Sequence, residues 1–322
     1  MVSSNSCTIF RSKGVFIMTK LTIALLFIGA TIIALIITKK VLNHERSGSV
    51  VHYSNFPSEF VVQRPVEVWL PQGYDPSSSE RYPVIYMHDG QFLFLGSRSW
   101  YTWTPWNWNV DVTIPRMIRE KKIRSAIVVA PWMLPKDDRR RNEYMPQKPI
   151  TREVGRLLEA DKSDIKYERL NSDNYLKFLV EELKPYIDKT YKTSPEKDNT
   201  FTMGSSMGGM ISAYAISEYP DIFGGAACMS THWSDANGAV VKWYQNHWPE
   251  AGDNRLYFDY GTESYDAAYE PYQQLMDETM RSKGYTEGRD WVTRKFQGAS
   301  HRPSAWRDRL HIPLEFLLGT DK

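Results

Sequence analysis

A serine flanked by glycines, in Gly204-Ser205-Ser206-Met207-Gly208, lies where the chain changes from one periodicity to another. Residues 200–203 form a short β-type run, and residues 207–219 follow a helical pattern. A strand that turns directly into a helix needs small residues on both sides of the turn, because larger side chains clash there. The spacing therefore predicts a tight strand-to-helix turn with Ser206 at its apex.

The same alternation of strands and helices continues along the chain. An alternating, valine-rich run at Glu59–Leu70 is typical of an early antiparallel strand. The other predicted strands are Tyr82–Met87, Ala126–Ala130, Ala226–Ser230, Leu256–Tyr260 and Trp291–Phe296, and the other predicted helices are Asn174–Tyr191, Tyr269–Lys283 and Ala305–Leu318. This order predicts one α/β domain over residues 57–322, with a mostly parallel central sheet and helices on both faces.

The N-terminal part of the chain differs from this domain. After a tail of residues 1–20, the 17 residues from Leu21 to Ile37 carry no charge, and a polar linker is predicted at 38–56. A helix of 17 residues spans about 25 Å, enough for a thin bilayer. Because no small-x-small cleavage site ends the apolar run, we expect an uncleaved membrane anchor. The basic residues on its two sides are balanced and give no orientation, but a single N-terminal anchor usually holds such a domain outside the cytoplasm, so we expect the domain on the exported side. The alternative is a cleaved signal that leaves a secreted or periplasmic protein.

Charge and cysteine content exclude several functional classes. Residues 1–47 hold six basic residues and one acid, which leaves 34 basic and 37 acidic residues in the body. The body therefore lacks the basic footprint of a nucleic-acid-binding protein. Cys7 precedes the apolar run and Cys228 follows it, so the predicted domain holds a single thiol. An internal disulfide and a cysteine metal site are excluded, and no metal is expected.

The Ser206 hydroxyl is a candidate nucleophile. At the apex of a strand-to-helix turn it projects above the sheet, beside a helix N-terminus whose dipole favours developing negative charge. Ser205 is the adjacent alternative, but the glycine spacing centres on Ser206. The base should follow the last strand, as His301 does, whereas the alternative His311 falls inside the closing helix.

A third group, a carboxylate that orients the histidine, is expected in the loop after the strand at 256–260. Glu263, Asp266 and Glu270 are the candidates there. Asp266 is favoured because it lies in the middle of the loop and its short side chain suits the fixing of a histidine tautomer. Glu263 remains the alternative acid.

Two backbone N–H groups are needed to hold the oxygen that becomes negative when a serine attacks a carbonyl. One is expected from Met207, which follows Ser206. The other is expected from the turn at 88–91, where Gln91 is the preferred donor. His88 lies at the end of a buried strand, which is typical of a structural histidine.

Several segments resemble the esterase D and enterochelin-esterase-like branch of the α/β-hydrolases, known as the putative esterase family. They are Val84–Gln91, Met203–Gly209, Tyr219–Gly225, Tyr260–Glu263 and Gly298–His301, and the resemblance extends over residues 55–318. It implies the α/β-hydrolase fold, carboxylesterase or thioesterase activity, no cofactor, and Ser206, Asp266 and His301 as a catalytic triad. Many relatives carry the acid two residues after the Gly-Thr pair, where this chain has Ser264, so Asp266 matches only with a two-residue insertion.

The combined pattern predicts a serine hydrolase that cleaves carboxylic or thioesters through an acyl-enzyme on Ser206. An acyltransferase that uses the same acyl-enzyme is the alternative, and an inactive binding protein of the same fold is a third class. A small-molecule or glycan-linked ester is the expected partner. Four residues in two unusual loops are candidate substrate contacts: Trp100, Trp103, Trp106 and Arg140.

Overall fold

The computed structural model describes residues 23–31, 33, 46–134, 136, 139–160 and 167–320. The chain divides into two units, residues 1–46 and 47–322. In the first unit, residues 23–31 and 33 are helical. The predicted tail, the remaining positions of the predicted anchor, and residues 38–45 of the predicted linker lie outside the described residues. Within the part that is described, no helix combines the length and the apolar character that a membrane crossing requires.

The second unit is built on one sheet of eight strands in the order β1-β2-β4-β3-β5-β6-β7-β8. The strands are β1 (Ser49–Phe56), β2 (Arg64–Leu70), β3 (Val84–Met87), β4 (Ile127–Pro131), β5 (Thr200–Ser205), β6 (Gly225–Met229), β7 (Arg255–Glu263) and β8 (Trp291–Ser300). The pairs β1–β2 and β2–β4 are antiparallel, and the other neighbours are parallel. The predicted mostly parallel sheet is confirmed.

Helices connect the parallel strands. They are α1 (Val110–Arg119), α2 (Arg139–Tyr144), α3 (Arg152–Ala160), α4 (Ser172–Lys177), α5 (Lys184–Thr190), α6 (Met207–Glu218), α7 (Ala239–His247), α8 (Glu270–Ser282), α9 (Pro303–Arg309) and α10 (His311–Leu318). A π-helical stretch, Phe178–Leu183, joins α4 to α5, immediately before Pro185.

Both faces of the sheet are buried, which explains why its central strands are apolar without alternation. In β3, Val84 and Tyr86 belong to one core cluster, whereas Ile85 and Met87 belong to the other. The first cluster includes α6 and the second includes α1 and α10. Helices thus cover the sheet on both sides, as the sequence predicts.

The parallel strands present their carboxyl ends at one edge of the sheet. Met87 at the end of β3 pairs with Met203 of β5, and the N–H of His88 donates to the Met203 carbonyl at 2.9 Å. The turn after β3 therefore lies beside the turn after β5. Loops after β6, β7 and β8 follow along the same edge, where ligands bind in sheets of this kind.

The predicted linker at 38–56 is wrong from Ser49 onward, because Ser49–Phe56 forms strand β1 at the edge of the sheet. The strand lacks a long apolar run because most of its residues are only partly buried. Its polar side chains find partners on β2 instead, and His52 Nδ1 lies 3.2 Å from Glu67 Oε1. The next strand is also shorter than predicted, beginning at Arg64 rather than at Glu59.

Candidate active site

Ser206 lies on the turn between β5 and α6, in a backbone conformation with φ 58° and ψ −121°. Residues other than glycine rarely adopt a positive φ, and such strain is concentrated at functional sites. The turn is possible because Gly204 has no side chain: a Cβ there would lie 2.6 Å from the Gly208 carbonyl carbon. The N–H of Ser206 donates to the Met229 carbonyl of the neighbouring strand at 2.9 Å.

Three side chains predicted from the sequence lie in one hydrogen-bonded row. His301 Nε2 lies 3.0 Å from Ser206 Oγ, and His301 Nδ1 lies 2.5 Å from Asp266 Oδ1. Ser206 follows β5, Asp266 lies in the 3-10 turn Ser264–Ala268 after β7, and His301 follows β8. Three loops at the carboxyl edge of the sheet therefore supply the three side chains.

Asp266 is fully buried and receives hydrogen bonds on both oxygens. Its Oδ2 accepts from the Ser230 hydroxyl and from the Gly261 N–H, each at 2.6 Å, while Oδ1 faces His301. Burial acts to raise the pKa of Asp266. The hydrogen bonds from His301, Ser230 and Gly261 outweigh it and hold that pKa below its ordinary value. The carboxylate is therefore ionised at neutral pH.

The alternative base and acid lie elsewhere. Glu263 ends β7 with an exposed side chain, 3.4 Å from the Ser300 hydroxyl. Glu270 begins α8 and bonds to Lys295. His311 is the first residue of α10, outside the row of three side chains. Of these candidate bases and acids, His301 and Asp266 are the two that lie in the hydrogen-bonded row with Ser206.

The turn after β3 approaches the Ser206 turn closely. Asp89 has a left-handed conformation, φ 59° and ψ 43°, and leads into a 3-10 turn, Gly90–Phe92. A Cβ on Gly90 would lie 2.3 Å from the Ala130 carbonyl oxygen, so only glycine fits there. Gln91 is buried, and its Oε1 accepts from the Met133 N–H at 3.2 Å. The two predicted oxyanion donors, Gln91 and Met207, thus belong to neighbouring turns.

His88 is a structural histidine in a buried polar network. Its Nδ1 lies 2.9 Å from Tyr175 Oη, and its Nε2 lies 3.1 Å from Thr202 Oγ1. Burial lowers the pKa of His88 to about 3. The imidazole is therefore neutral, with both nitrogens occupied beneath the turn that leads to Gln91.

Helix α2 braces the same turn. Arg140 donates to both carboxylate oxygens of Asp89, at 2.7 and 2.8 Å, and the Asp89 N–H donates to Tyr144 Oη at 3.3 Å. The helix is itself held by a buried ion pair between Glu143 and Arg64, with contacts of 2.6 and 2.7 Å. A segment that the sequence marks only as a polar loop therefore supports the site.

A cavity of about 510 Å³ lies beside Ser206 and His301, which both line it. Its other lining residues are mostly apolar or aromatic and include Phe92, Pro105, Trp106, Trp108, Met133, Pro303 and Trp306, together with Asp89, Arg140 and Arg302. Two candidate substrate contacts, Trp106 and Arg140, are thus in its wall.

The other two candidates, Trp100 and Trp103, are not among the residues that line this cavity. They lie in the 3-10 turn Trp100–Trp103, and the Trp100 ring stacks on its neighbour Tyr101 with 76% of its surface exposed. Their role as substrate contacts therefore stays a prediction, which the lining of this cavity does not support. A count of aromatic residues in a loop does not specify which rings face inward.

Sequence analysis missed four residues around the site: Asp89, Ser230, Trp306 and Arg309. Asp89 belongs to the segment Val84–Gln91 and lies two residues before the predicted donor Gln91, which is a usable signal. Ser230 ends a predicted strand, and Arg309 is one of two arginines in the closing helical stretch. Within the described part of the chain, no cluster of three or more histidine, cysteine or carboxylate side chains is arranged to hold a metal ion.

Comparisons with known proteins identify the family of the chain. Residues 59–313 match the family described as "Putative esterase". The chain is 26% identical over 189 residues to an endo-1,4-beta-xylanase/feruloyl esterase of Xylanibacter ruminicola, a match that covers 58% of this chain and 22% of that protein. The chain thus spans about a fifth of the length of that relative.

Solved structures share the architecture. A ferulic acid esterase from Anaeromyces mucronatus has a TM-score of 0.57 at 18% identity, with 84% of this chain and 89% of that chain covered. A ferric enterobactin esterase from Salmonella typhimurium has a TM-score of 0.62 at 17% identity, with 86% and 60% covered. At such identities the structural likeness establishes the fold, and the α/β-hydrolase prediction is confirmed.

Proposed function

The chain belongs to the "Putative esterase" family and is a hydrolase that acts on ester bonds, and from that premise we propose that it works as a serine carboxylesterase through an acyl-enzyme on Ser206. The observation that carries the proposal is the row of hydrogen bonds from Asp266 Oδ1 through His301 to Ser206 Oγ, 2.5 and 3.0 Å long. A hydroxyl is a weak nucleophile unless a base takes its proton, and this row supplies the base.

In the proposed first step, Ser206 Oγ attacks the ester carbonyl carbon while His301 Nε2 takes the hydroxyl proton. Asp266 holds Nδ1–H and stabilises the imidazolium that forms. His301 then gives the proton to the departing alcohol, which leaves the acyl group on Ser206. Water enters, His301 removes its proton, and attack on the acyl carbon releases the acid and restores the serine.

The oxygen of the tetrahedral intermediate needs preorganised donors. We assign this role to the backbone N–H groups of Met207 and Gln91. Two features support the assignment. Met207 begins helix α6 directly after Ser206, so its N–H belongs to the first turn of a helix, where donors lack partners in the helix. Gln91 lies in a turn that Asp89 and helix α2 hold rigidly.

For the substrate we propose an ester with an aromatic or extended apolar group, bound in the cavity that Trp106, Trp108 and Trp306 line. Flat side chains pack well on such walls and contribute through buried apolar area. The names of the ferulic acid esterase structure and the feruloyl esterase relative fit this class. Arg140 contributes a charged side chain to the wall of the cavity, where it can contact a polar substituent of the substrate.

A test is covalent labelling with a fluorophosphonate, which reacts with an activated serine. The wild type should be labelled at Ser206 and should hydrolyse aryl esters. Ser206→Ala should lose labelling and roughly 10⁴- to 10⁶-fold in kcat, since the residues of a triad act as a unit. Ser205→Ala is the matched control one residue away, and it should keep both. Retained turnover in Ser206→Ala together with loss in Ser205→Ala would overturn the assignment.

A further inference from the structure

Ser230 is a second serine close to the three aligned side chains. It follows β6 and is fully buried. Its Oγ lies 2.6 Å from Asp266 Oδ2, 2.7 Å from Arg309 Nη2 and 3.0 Å from Trp306 Nε1. Its own N–H donates to the Asp259 carbonyl at 2.9 Å, so the backbone is held as well. One hydroxyl thus has three polar neighbours in the core.

The chemistry of those neighbours fixes the direction of each hydrogen bond. The indole of Trp306 and the guanidinium of Arg309 are donors only, and together they occupy both lone pairs of the Ser230 oxygen. The single hydroxyl proton is therefore left for Asp266 Oδ2. We propose that Ser230 is a positioning residue, which locks the Asp266 carboxylate so that Oδ1 faces His301. The inference rests on the proposed catalytic role of Asp266.

The two oxygens of the Asp266 carboxylate then have separate roles, one held by the backbone and Ser230 and the other facing His301. Oδ2 is saturated by Ser230 and by the Gly261 N–H at 2.6 Å, so rotation of the carboxylate would break two short hydrogen bonds. Oδ1 is thereby presented to His301 at 2.5 Å. Trp306 also contacts the histidine directly, with ring centroids 5.0 Å apart and planes at 90°. Helix α9 therefore contacts both His301 and the residue that orients Asp266.

Arg309 acts on this site without touching Asp266. Its guanidinium bonds to both oxygens of the buried Asp259, at 2.9 and 3.1 Å. A guanidinium paired directly with Asp266 would compete with His301 for the charge of that carboxylate. Ser230, which lies between them, accepts a hydrogen bond from Arg309 and donates its neutral hydroxyl to Asp266. Among the described residues, the titratable groups packed against Asp266 and His301 include Tyr265, Tyr269 and His232, and Asp259 and Arg309 lie behind Ser230.

The principal test is the Ser230→Ala variant of the full chain, with rates expressed per active site titrated with fluorophosphonate. We expect kcat to fall roughly tenfold, the loss expected when a hydrogen bond to a charged group is removed, while KM changes by less than about twofold. Thr200→Val, which removes a buried hydroxyl at the start of β5 away from the carboxyl edge, is the control and should retain wild-type kcat.

The pH profile separates positioning from general destabilisation. With one donor fewer, the Asp266 carboxylate is a stronger base and holds the imidazolium proton more firmly. The acid limb of kcat/KM should therefore move to higher pH in Ser230→Ala. An unchanged limb together with an unchanged kcat would overturn the proposal.

A double-mutant cycle with Asp266→Asn gives the decisive comparison. If Ser230 acts through Asp266, adding Ser230→Ala to the Asp266→Asn variant should lower kcat by less than about a further twofold. The same tenfold loss in both backgrounds would instead indicate a merely structural effect. A large loss in Asp266→Asn with none in Ser230→Ala would overturn this inference and leave the proposed function intact. If Ser230→Ala does not fold, Ser230→Cys, which keeps a weak donor, takes its place in the cycle.

Discussion

Arg140 holds the carboxylate of Asp89 through two parallel hydrogen bonds, 2.7 Å from Nε to Oδ1 and 2.8 Å from Nη2 to Oδ2. The Asp89 carboxylate lies against the start of helix α6, since a Cβ on Gly208 would be 3.4 Å from its Oδ2. An unpaired anion there would repel the negative oxygen that forms during ester cleavage. The guanidinium neutralises it and at the same time fixes the turn that leads to Gln91.

We therefore expect Arg140→Ala to lower kcat by roughly 10- to 100-fold, because the variant leaves a buried carboxylate uncompensated beside the reacting oxygen. If Arg140 acts mainly through Asp89, KM for a neutral ester should stay within a few-fold. The double variant Asp89→Asn/Arg140→Ala should recover part of the loss. Arg139→Ala, one position away on α2, is the matched control. A rise in KM with unchanged kcat would indicate a substrate-binding role instead.

The choice between the two loop carboxylates is also testable. Asp266→Asn should reduce kcat by up to about 10⁴-fold, since the amide cannot accept Nδ1–H with the same charge and favours the wrong tautomer. Glu263→Gln removes the same charge from an exposed side chain at the end of β7, three residues earlier, and should change kcat by less than about threefold. The measurement is kcat at neutral pH for one aryl ester. A larger loss of kcat in Glu263→Gln than in Asp266→Asn would assign the role of the acid to Glu263. Small losses in both variants would indicate catalysis by a serine–histidine pair.

The sequence predicts most of the sheet because buried parallel strands are short apolar runs. It also predicts that Ser206, Asp266 and His301 lie close together, because each follows a strand and the carboxyl ends of parallel strands meet at one edge. The edge strand β1 is missed because half-buried residues such as His52 break the apolar pattern.

The surroundings of the three side chains depend on long-range packing, which no local pattern encodes. Which arginine of helix α9 turns inward is decided by Asp259, a residue 50 positions earlier in the chain. Similarly, Arg140 reaches Asp89 over 51 positions, from a stretch whose composition is typical of a solvated loop. Trp106 lies in the cavity wall and Trp100 in solvent, although both belong to the same aromatic loop.

His88 should make the folded state sensitive to acid. Burial lowers its pKa from 6.5 to about 3. Between these two pH values the imidazole is protonated in the unfolded chain and neutral in the folded chain. The free energy of unfolding should therefore fall as the pH drops from 6.5 towards 3, with about 2 kcal/mol lost between pH 6.5 and 4.5 from this residue.

The comparison is urea unfolding of the wild type and of His88→Gln, whose amide can bond to Tyr175 and Thr202 without titrating. The variant is expected to be less stable at neutral pH, because its packing is imperfect, but to lose about 2 kcal/mol less than the wild type over the same interval. Parallel pH dependences in the two proteins would show that His88 does not titrate on unfolding.

For the N-terminal segment we propose membrane anchoring with the esterase domain on the exported side. The proposal rests on the uncharged run at 21–37 and on the absence of a cleavage site in the sequence. Deletion should remove residues 1–45 only, because Ser47 belongs to the domain: its N–H donates to the Asp111 carbonyl and its carbonyl accepts from Trp69 Nε1.

The full chain should sediment with membranes, and the truncated chain should be soluble with unchanged kcat. A full-length variant with Leu26→Arg, which places a charge in the apolar run, is the control for the role of hydrophobicity and should lose membrane retention. Protease added to intact cells stripped of their outer layers should digest the domain if it is exported. A domain that resists the protease would instead lie inside the cell. A mature chain that starts near Ser47 would identify the segment as a cleaved signal.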